Sequence, residues 1–232
     1  MVRSSEVDVI RSAAVVIIPP LYAIIDTAWG GGRSPVEMAT ALLAAGVRLI
    51  QLRDKRLSSR EFSATAMDVR QCADKAAGTF IVNDRADIAC AVDACGVHLG
   101  QEDLPVAAAR QILGPGKIVG YSTHVLEQVK EADESTADYV AFGPIFPTSS
   151  KAKPDAVVGL AGLAQARKAT RKPLVAIGGI TLENARAVIA AGADSVAVIR
   201  DLLGAMDICK RAQAFIELLA SSGKKDQQVV ET

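Results

Sequence analysis

Three features of the chain predict an α/β fold, and within that class a (β/α)8 TIM barrel. Short apolar runs alternate with helix-periodic segments eight times within 232 residues. The runs are apolar along their whole length, as strands buried on both faces are. Polar clusters recur where the runs stop, which is the end at which such barrels carry their sites. A doubly wound open sheet is the architectural alternative. It usually has fewer repeats and a G-x-G-x-x-G turn after its first strand, which LYAIIDTAWG lacks.

The elements follow in order. Residues 1–18 form a leading helix or loose extension that ends at Pro19-Pro20. The first strand is Leu21–Asp26, and the glycine-rich turn after Trp29 feeds a helix from about Ser34 to Ala45. VRLIQLRDK is the second strand, whose period of two sets Gln51, Arg53 and Lys55 on one face at its C-terminal end. A long amphipathic helix opens at Ser58 or Ser59. The third strand ends at Asn83-Asp84, and after a helix the fourth covers Val97–Leu99. A helix over Pro105–Leu113 precedes the fifth strand, Lys117–Tyr121, and Ser122-Thr123-His124 leads into VLEQVKEAD with Ser or Thr suited to cap it. Asp138–Phe142 is the sixth strand. A long irregular loop follows, in which Thr148, Ser149, Ser150 and Lys151 read either as a phosphate-holding flap or as a mobile polar loop. Pro173–Ile177, the Gly178-Gly179 turn, a helix from Thr181, the strand Ser195–Ile199 and a helix to about Ala220 complete the count. AAGVRLIQLR and AAGADSVAVIR echo each other, as expected of a reused unit.

Half of the residues are apolar, so one domain is expected over residues 1–232, with the extension at 1–18 and a polar tail at 221–232. Lysine plus arginine equal aspartate plus glutamate at 26 each and aromatics make up 4%, which argues against a nucleic-acid partner. Cys72, Cys90, Cys95 and Cys209 lack C-x-x-C spacing and read as reduced core thiols of a cytoplasmic protein. The N-terminal apolar run is too short and too charged for a signal peptide or a membrane span.

Parallel strands three and four end side by side, about 5 Å apart, so Asp84 and Asp103 converge. Two carboxylates beside an amide suit Mg2+, which completes its shell with waters and substrate phosphate oxygens; helix capping by Asp84 and a helix start at Asp103 are the competing account. Once the barrel is accepted, Gln51, Arg53, Lys55, Asn83, Asp84, Asp103, Ser122 and Thr148 to Lys151 share one rim. Gly179 and Ile199-Arg200 occupy the corner where backbone N–H groups face an anion. That rim offers a backbone-made monophosphate site and, with Arg53, Lys55, Lys151 and a metal, a pyrophosphate site. His98, inside the fourth strand, reads as structural; His124 lies near the rim as a positioning residue.

The segments QLRDK, VNDRADIA, GVHLGQEDLP, GYSTH, GPIFPTSSK and AIGGIT, in this order between about Leu21 and Leu203, closely resemble the thiamine-phosphate synthase family. The resemblance implies joining of a pyrimidine pyrophosphate to a thiazole phosphate, giving thiamine monophosphate and pyrophosphate. It implies that Gln51, Leu52, Arg53, Asp54, Lys55, Asn83, Ser122 and Lys151 hold the pyrimidine pyrophosphate, with Arg53, Lys55, Ser122 and Lys151 catalytic. Asp84 and Asp103 would hold one Mg2+ per subunit, and Thr148, Ser149, Ser150, Gly179 and the Ile199-Arg200 backbone the thiazole phosphate. The family often has serine where this chain has Arg200, commonly reads ITD where this chain has Ile24-Ile25-Asp26, and differs at Ala156–Gly159. Two other readings stand beside it: a thiazole tautomerase-like paralogue, which would need neither the carboxylates nor the cations, and a non-catalytic phosphometabolite-binding barrel. Oligomeric state is open, a homo-oligomer being one expectation.

Overall fold

In the computed structural model, which describes residues 11–12, 15–148 and 155–222, eight parallel strands close on themselves into a barrel. They are β1 (Leu21–Asp26), β2 (Leu49–Arg53), β3 (Thr79–Asn83), β4 (Gly96–Leu99), β5 (Ile118–Thr123), β6 (Tyr139–Phe142), β7 (Leu174–Ile177) and β8 (Ser195–Val198). Each strand pairs with its sequence neighbour, and Val196 to Val198 of β8 lie opposite Leu21 to Ala23 of β1. The helices between and after them are α1 (Pro35–Ala44), α2 (Ser59–Lys75), α3 (Ala86–Ala91), α4 (Val106–Leu113), α5 (Leu126–Glu134), α6 (Gly159–Ala169), α7 (Leu182–Ala190), α8 (Arg200–Leu203) and α9 (Ile208–Ser222).

The two-residue period of the strands sorts their side chains into two cores. Ala23, Ile50, Leu52, Val82, Val97, Val119, Val140, Ala176 and Val196 face outward and pack with the buried faces of the helices. Tyr22, Ile24, Leu49, Ile81, Ile118, Tyr139, Val175 and Ala197 fill the barrel's interior. Each large aliphatic side chain so buried contributes about 1.5–3 kcal/mol. In α2, Phe62, Ala66, Val69 and Ala73 recur every three or four residues and form its buried face. Capping boxes start α1 (Ser34 with Glu37) and α2 (Ser58 with Glu61), each worth about 1 kcal/mol.

The molecule departs from the sequence expectations at several points. In the leading segment, expected as a helix or loose extension, Arg11–Ser12 and Val15–Val16 pair as an antiparallel ribbon, while residues 1–10 and 13–14 lie outside the described residues. The chain then sends Val16 and Ile18 into the interior core beside Leu49 and Ile118, at the strands' N-terminal ends. Ser122 and Thr123 belong to β5, and α5 starts at Leu126, its N-cap Val125 making no side-chain cap. The expected helix after β8 is divided into α8 and α9. The cysteines are free, but none is a fully buried core thiol: Cys90 is exposed and the other three are half-buried.

Candidate active site

The C-terminal ends of the strands open onto a cavity of about 530 Å3, a size suited to a small-molecule site. Its walls include inward-facing residues near the C-terminal ends of the strands, among them Ile24, Gln51, Arg53, Asn83, His98, Ser122 and Ile177. Strand periodicity selects them: each lies two or four positions beyond a residue of the interior core, except His98, which lies directly across from Asn83.

Beside this cavity the two acidic residues meet. Asp84, just past β3, has φ 64°, and its N–H donates to the His98 carbonyl at 2.8 Å, fastening the turn to β4. Asp103 Oδ2 accepts from Gly100 N at 2.6 Å. Burial first, then a hydrogen bond to Asp84 and repulsion by its charge, hold the Asp103 carboxyl above the usual carboxylate range, against the pull of the Gly100 N–H and Lys55. Lys55 Nζ makes an ion pair with Asp84. Neither aspartate caps a helix: the residues at the starts of α3 and α4 are Arg85 and Pro105, without side-chain caps. Among the described residues no group of three or more His, Cys, Asp and Glu side chains could hold a metal ion. The pair of carboxylates, repelling each other and drawing in a cation, nevertheless fits an ion that takes one or two carboxylates and leaves its other positions to water and phosphate.

Within the predicted run Gln51–Lys55 the side chains divide. Gln51 and Arg53 line the cavity, while Lys55 reaches Asp84 at its edge. Leu52 is fully buried in the outer core, so its side chain does not reach the site. Asp54 instead organises the loop after β2, accepting from Thr27 Oγ1, Arg56 N and Leu57 N. Burial opposes its charge, but these hydrogen bonds prevail and hold its carboxyl below the usual range. Arg53 is aimed by a residue the sequence reading missed: its Nη1 pairs with Asp26, only 2% exposed, whose other oxygen accepts from Ala28 N at 3.0 Å. The signal was the period of LYAIID, which turns Tyr22, Ile24 and Asp26 inward together.

Two tyrosines were also missed. Gln51 Nε2 donates to Tyr22 Oη at 2.6 Å, and Tyr22 Oη lies 3.0 Å from Tyr139 Oη. Tyr139 Oη is 2.9 Å from His98 Nδ1, and His98 Nε2 is 2.8 Å from Ser122 Oγ. His98, expected to be structural, is buried and stacked on Tyr139, and it also lines the cavity.

On the opposite wall, Thr148, Gly179, Ile199 and Arg200 come together; Ser149, Ser150 and Lys151 lie outside the described residues. The loop after β6 sits directly on the Gly178-Gly179 turn, with Ile145 N donating to Ile177 O at 2.9 Å and Phe146 N to Gly178 O at 3.0 Å. A Cβ at Gly178 would stand 2.5 Å from Pro144, and one at Gly179 2.6 Å from the Pro147 carbonyl. His124 ties the two ends of that loop, with Nδ1 2.6 Å from Gly143 O and Nε2 3.5 Å from Asp155 Oδ2. The Arg200 guanidinium stacks 4.5 Å above the Trp29 ring.

The family described as "Thiamine monophosphate synthase" matches residues 21–202. A thiamine-phosphate synthase from Moorella thermoacetica is 45% identical over 205 residues, covering 88% of this chain and 98% of the relative. One from Koribacter versatilis is 49% identical over 208 residues, covering 88% and 97%. Among solved structures, a thiamine phosphate pyrophosphorylase from Pyrococcus furiosus matches with a TM-score of 0.79 and 37% identity, covering 87% of this chain and 96% of that one.

Proposed function

The chain belongs to the thiamine monophosphate synthase family, and from that premise we propose how its rim carries the reaction. It is a thiamine-phosphate synthase, a transferase that joins 4-amino-2-methyl-5-hydroxymethylpyrimidine pyrophosphate to a thiazole phosphate, giving thiamine monophosphate and pyrophosphate.

The observation that carries the assignment of roles is the meeting of Asp84 and Asp103 beside Lys55. Gln51, Asn83 and Ser122 hold the pyrimidine end. Arg53, Lys55 and Lys151 surround its diphosphate, on which negative charge grows as the carbon–oxygen bond breaks and both electrons stay with the leaving group. Asp84 and Asp103 would hold one Mg2+ per subunit, which would supply further positive charge to that leaving group. The thiazole nitrogen attacks the freed methylene carbon with a lone pair that carries no proton, so the residues need only position and no side chain serves as a base. Thr148, Ser149, Ser150, Gly179 and the Ile199-Arg200 backbone hold the thiazole phosphate. Asp54 and Leu52 support the site through the loop and the strand that carry Arg53 and Lys55. The partners are these small molecules, in a cytoplasmic setting, and no described helix is long and apolar enough to cross a membrane.

The test is an assay of pyrophosphate release with each substrate alone and with both, with and without Mg2+. The reading requires release only when both substrates and the ion are present. A tautomerase would convert the thiazole compound alone, and a binding protein would release nothing.

A further inference from the structure

We infer that Tyr22, Tyr139 and His98 are positioning residues: a one-way hydrogen-bond relay through the barrel's interior that sets which polar edge Gln51 and Ser122 each present to the cavity. The inference rests on the reading that Gln51 and Ser122 hold the pyrimidine.

The relay links β2 to β5 across the interior, through Tyr22 of β1, Tyr139 of β6 and His98 of β4. It requires a large ring to reach inward from β6, and the chain leaves room for one. A Cβ at Gly120, the residue opposite Tyr139 in the β5–β6 register, would stand 2.0 Å from the Tyr139 ring. Both phenols are 1% exposed or less, and burial pushes both up from the ordinary tyrosine value, so each keeps a proton to donate.

The sense of the relay follows from counting donors. An amide nitrogen only donates, so Tyr22 Oη accepts from Gln51 and passes its own proton to Tyr139. The reverse sense would leave the Tyr22 O–H buried with no acceptor, which is strongly disfavoured. Tyr139 then donates to His98 Nδ1, His98 donates from Nε2 to Ser122 Oγ, and the Ser122 proton is left to point elsewhere. The ends are thereby coupled. Gln51 keeps its Oε1 for the cavity as an acceptor, and Ser122 meets it as a donor. An aminopyrimidine is complementary to that pair, since its exocyclic amine donates and its ring nitrogens accept. Flipping the Gln51 amide would reverse every bond down to Ser122, so the relay makes the wrong polarity costly.

The wild-type enzyme provides the first test. 15N NMR of histidine-labelled protein at neutral pH should find His98 protonated at Nε2 and bare at Nδ1; the Nδ1–H form would overturn the inference. The second test is kinetic. Tyr139→Phe keeps the ring and removes two links, so KM for the pyrimidine pyrophosphate should rise about tenfold, the loss expected for one buried hydrogen bond, while KM for the thiazole phosphate stays within about twofold. Tyr22→Phe should give the same asymmetry and decides the matter if Tyr139→Phe does not fold. Equal effects on both substrates, or none, would reduce the tyrosines to packing and overturn the inference. Absence of pyrophosphate release by the wild type would sink the functional reading instead, a failure separate from either result.

Discussion

Asp84 adopts a left-handed backbone, φ 64°, that aspartate and asparagine tolerate better than other non-glycine residues. Asp84→Asn therefore keeps the turn and removes the charge. Turnover should fall by at least about 100-fold, the scale of losing a group that stabilises developing charge, while stability stays within about 1 kcal/mol of wild type. Steady-state kinetics with a thermal melt would check both; unchanged turnover with a large stability loss would return Asp84 to a structural role. Asp103 offers a pH dependence with a definite sign. Its carboxyl is raised, by burial and then by Asp84, so the folded chain binds that proton more tightly than the unfolded one. Its contribution to stability is thus greatest at low pH and is lost as pH rises through the raised value. Without metal, Asp103→Asn should raise the melting temperature at neutral pH and leave it unchanged well below the usual carboxylate pKa, even as turnover collapses. A lower melting temperature at neutral pH would show that the pair does not repel. Lys151 lies outside the described residues and carries a prediction from the sequence alone. Lys151→Ala should raise KM for the pyrimidine pyrophosphate more than for the thiazole phosphate, and equal weakening would make the loop only a cover.

Between β6 and β7 the site depends on close backbone approach. Gly179 has φ 65°, and a Cβ there would meet the Pro147 carbonyl at 2.6 Å, a backbone atom that cannot swing aside. Gly179→Ala should therefore lift the loop after β6, cost about 1–3 kcal/mol and raise KM for the thiazole phosphate more than for its partner. A wild-type melt with unchanged KM values would show that the loop does not need this seat. The elements themselves were legible, because buried parallel strands and amphipathic helices write their periods into the local sequence. The misreadings have non-local causes. Ser122 and Thr123 look like helix caps, but β6 pairs with them through Ala141 and Phe142 and draws them into β5. The break between α8 and α9 is held by Arg33, which donates to Leu203 O at 2.8 Å and Ala205 O at 2.9 Å from the other side of the barrel's seam. No window of sequence around Gly204 contains that arginine.

Across the whole molecule, ring closure explains why the site was more legible than its supports. A closed parallel barrel puts all eight strand ends on one face, so polar residues that follow strands converge whatever their separation in sequence. Asp84 and Asp103 needed only adjacent strands to meet. The supports face the interior and depend on which strands oppose each other across it, as Tyr22 of β1 and Tyr139 of β6 do; strand order alone does not say how far each ring reaches. Arg53 was legible as a rim cation, whereas Asp26, which aims it, is hidden in an apolar run. If the two converging carboxylates recruit a cation to the diphosphate, calorimetry of pyrophosphate binding detects it most directly. Wild-type protein should bind pyrophosphate at least about tenfold more tightly with Mg2+ than without it, and Asp84→Asn combined with Asp103→Asn should erase that gain. Equal affinity with and without Mg2+ in the wild type, or a full Mg2+ gain in the double variant, would contradict that recruitment.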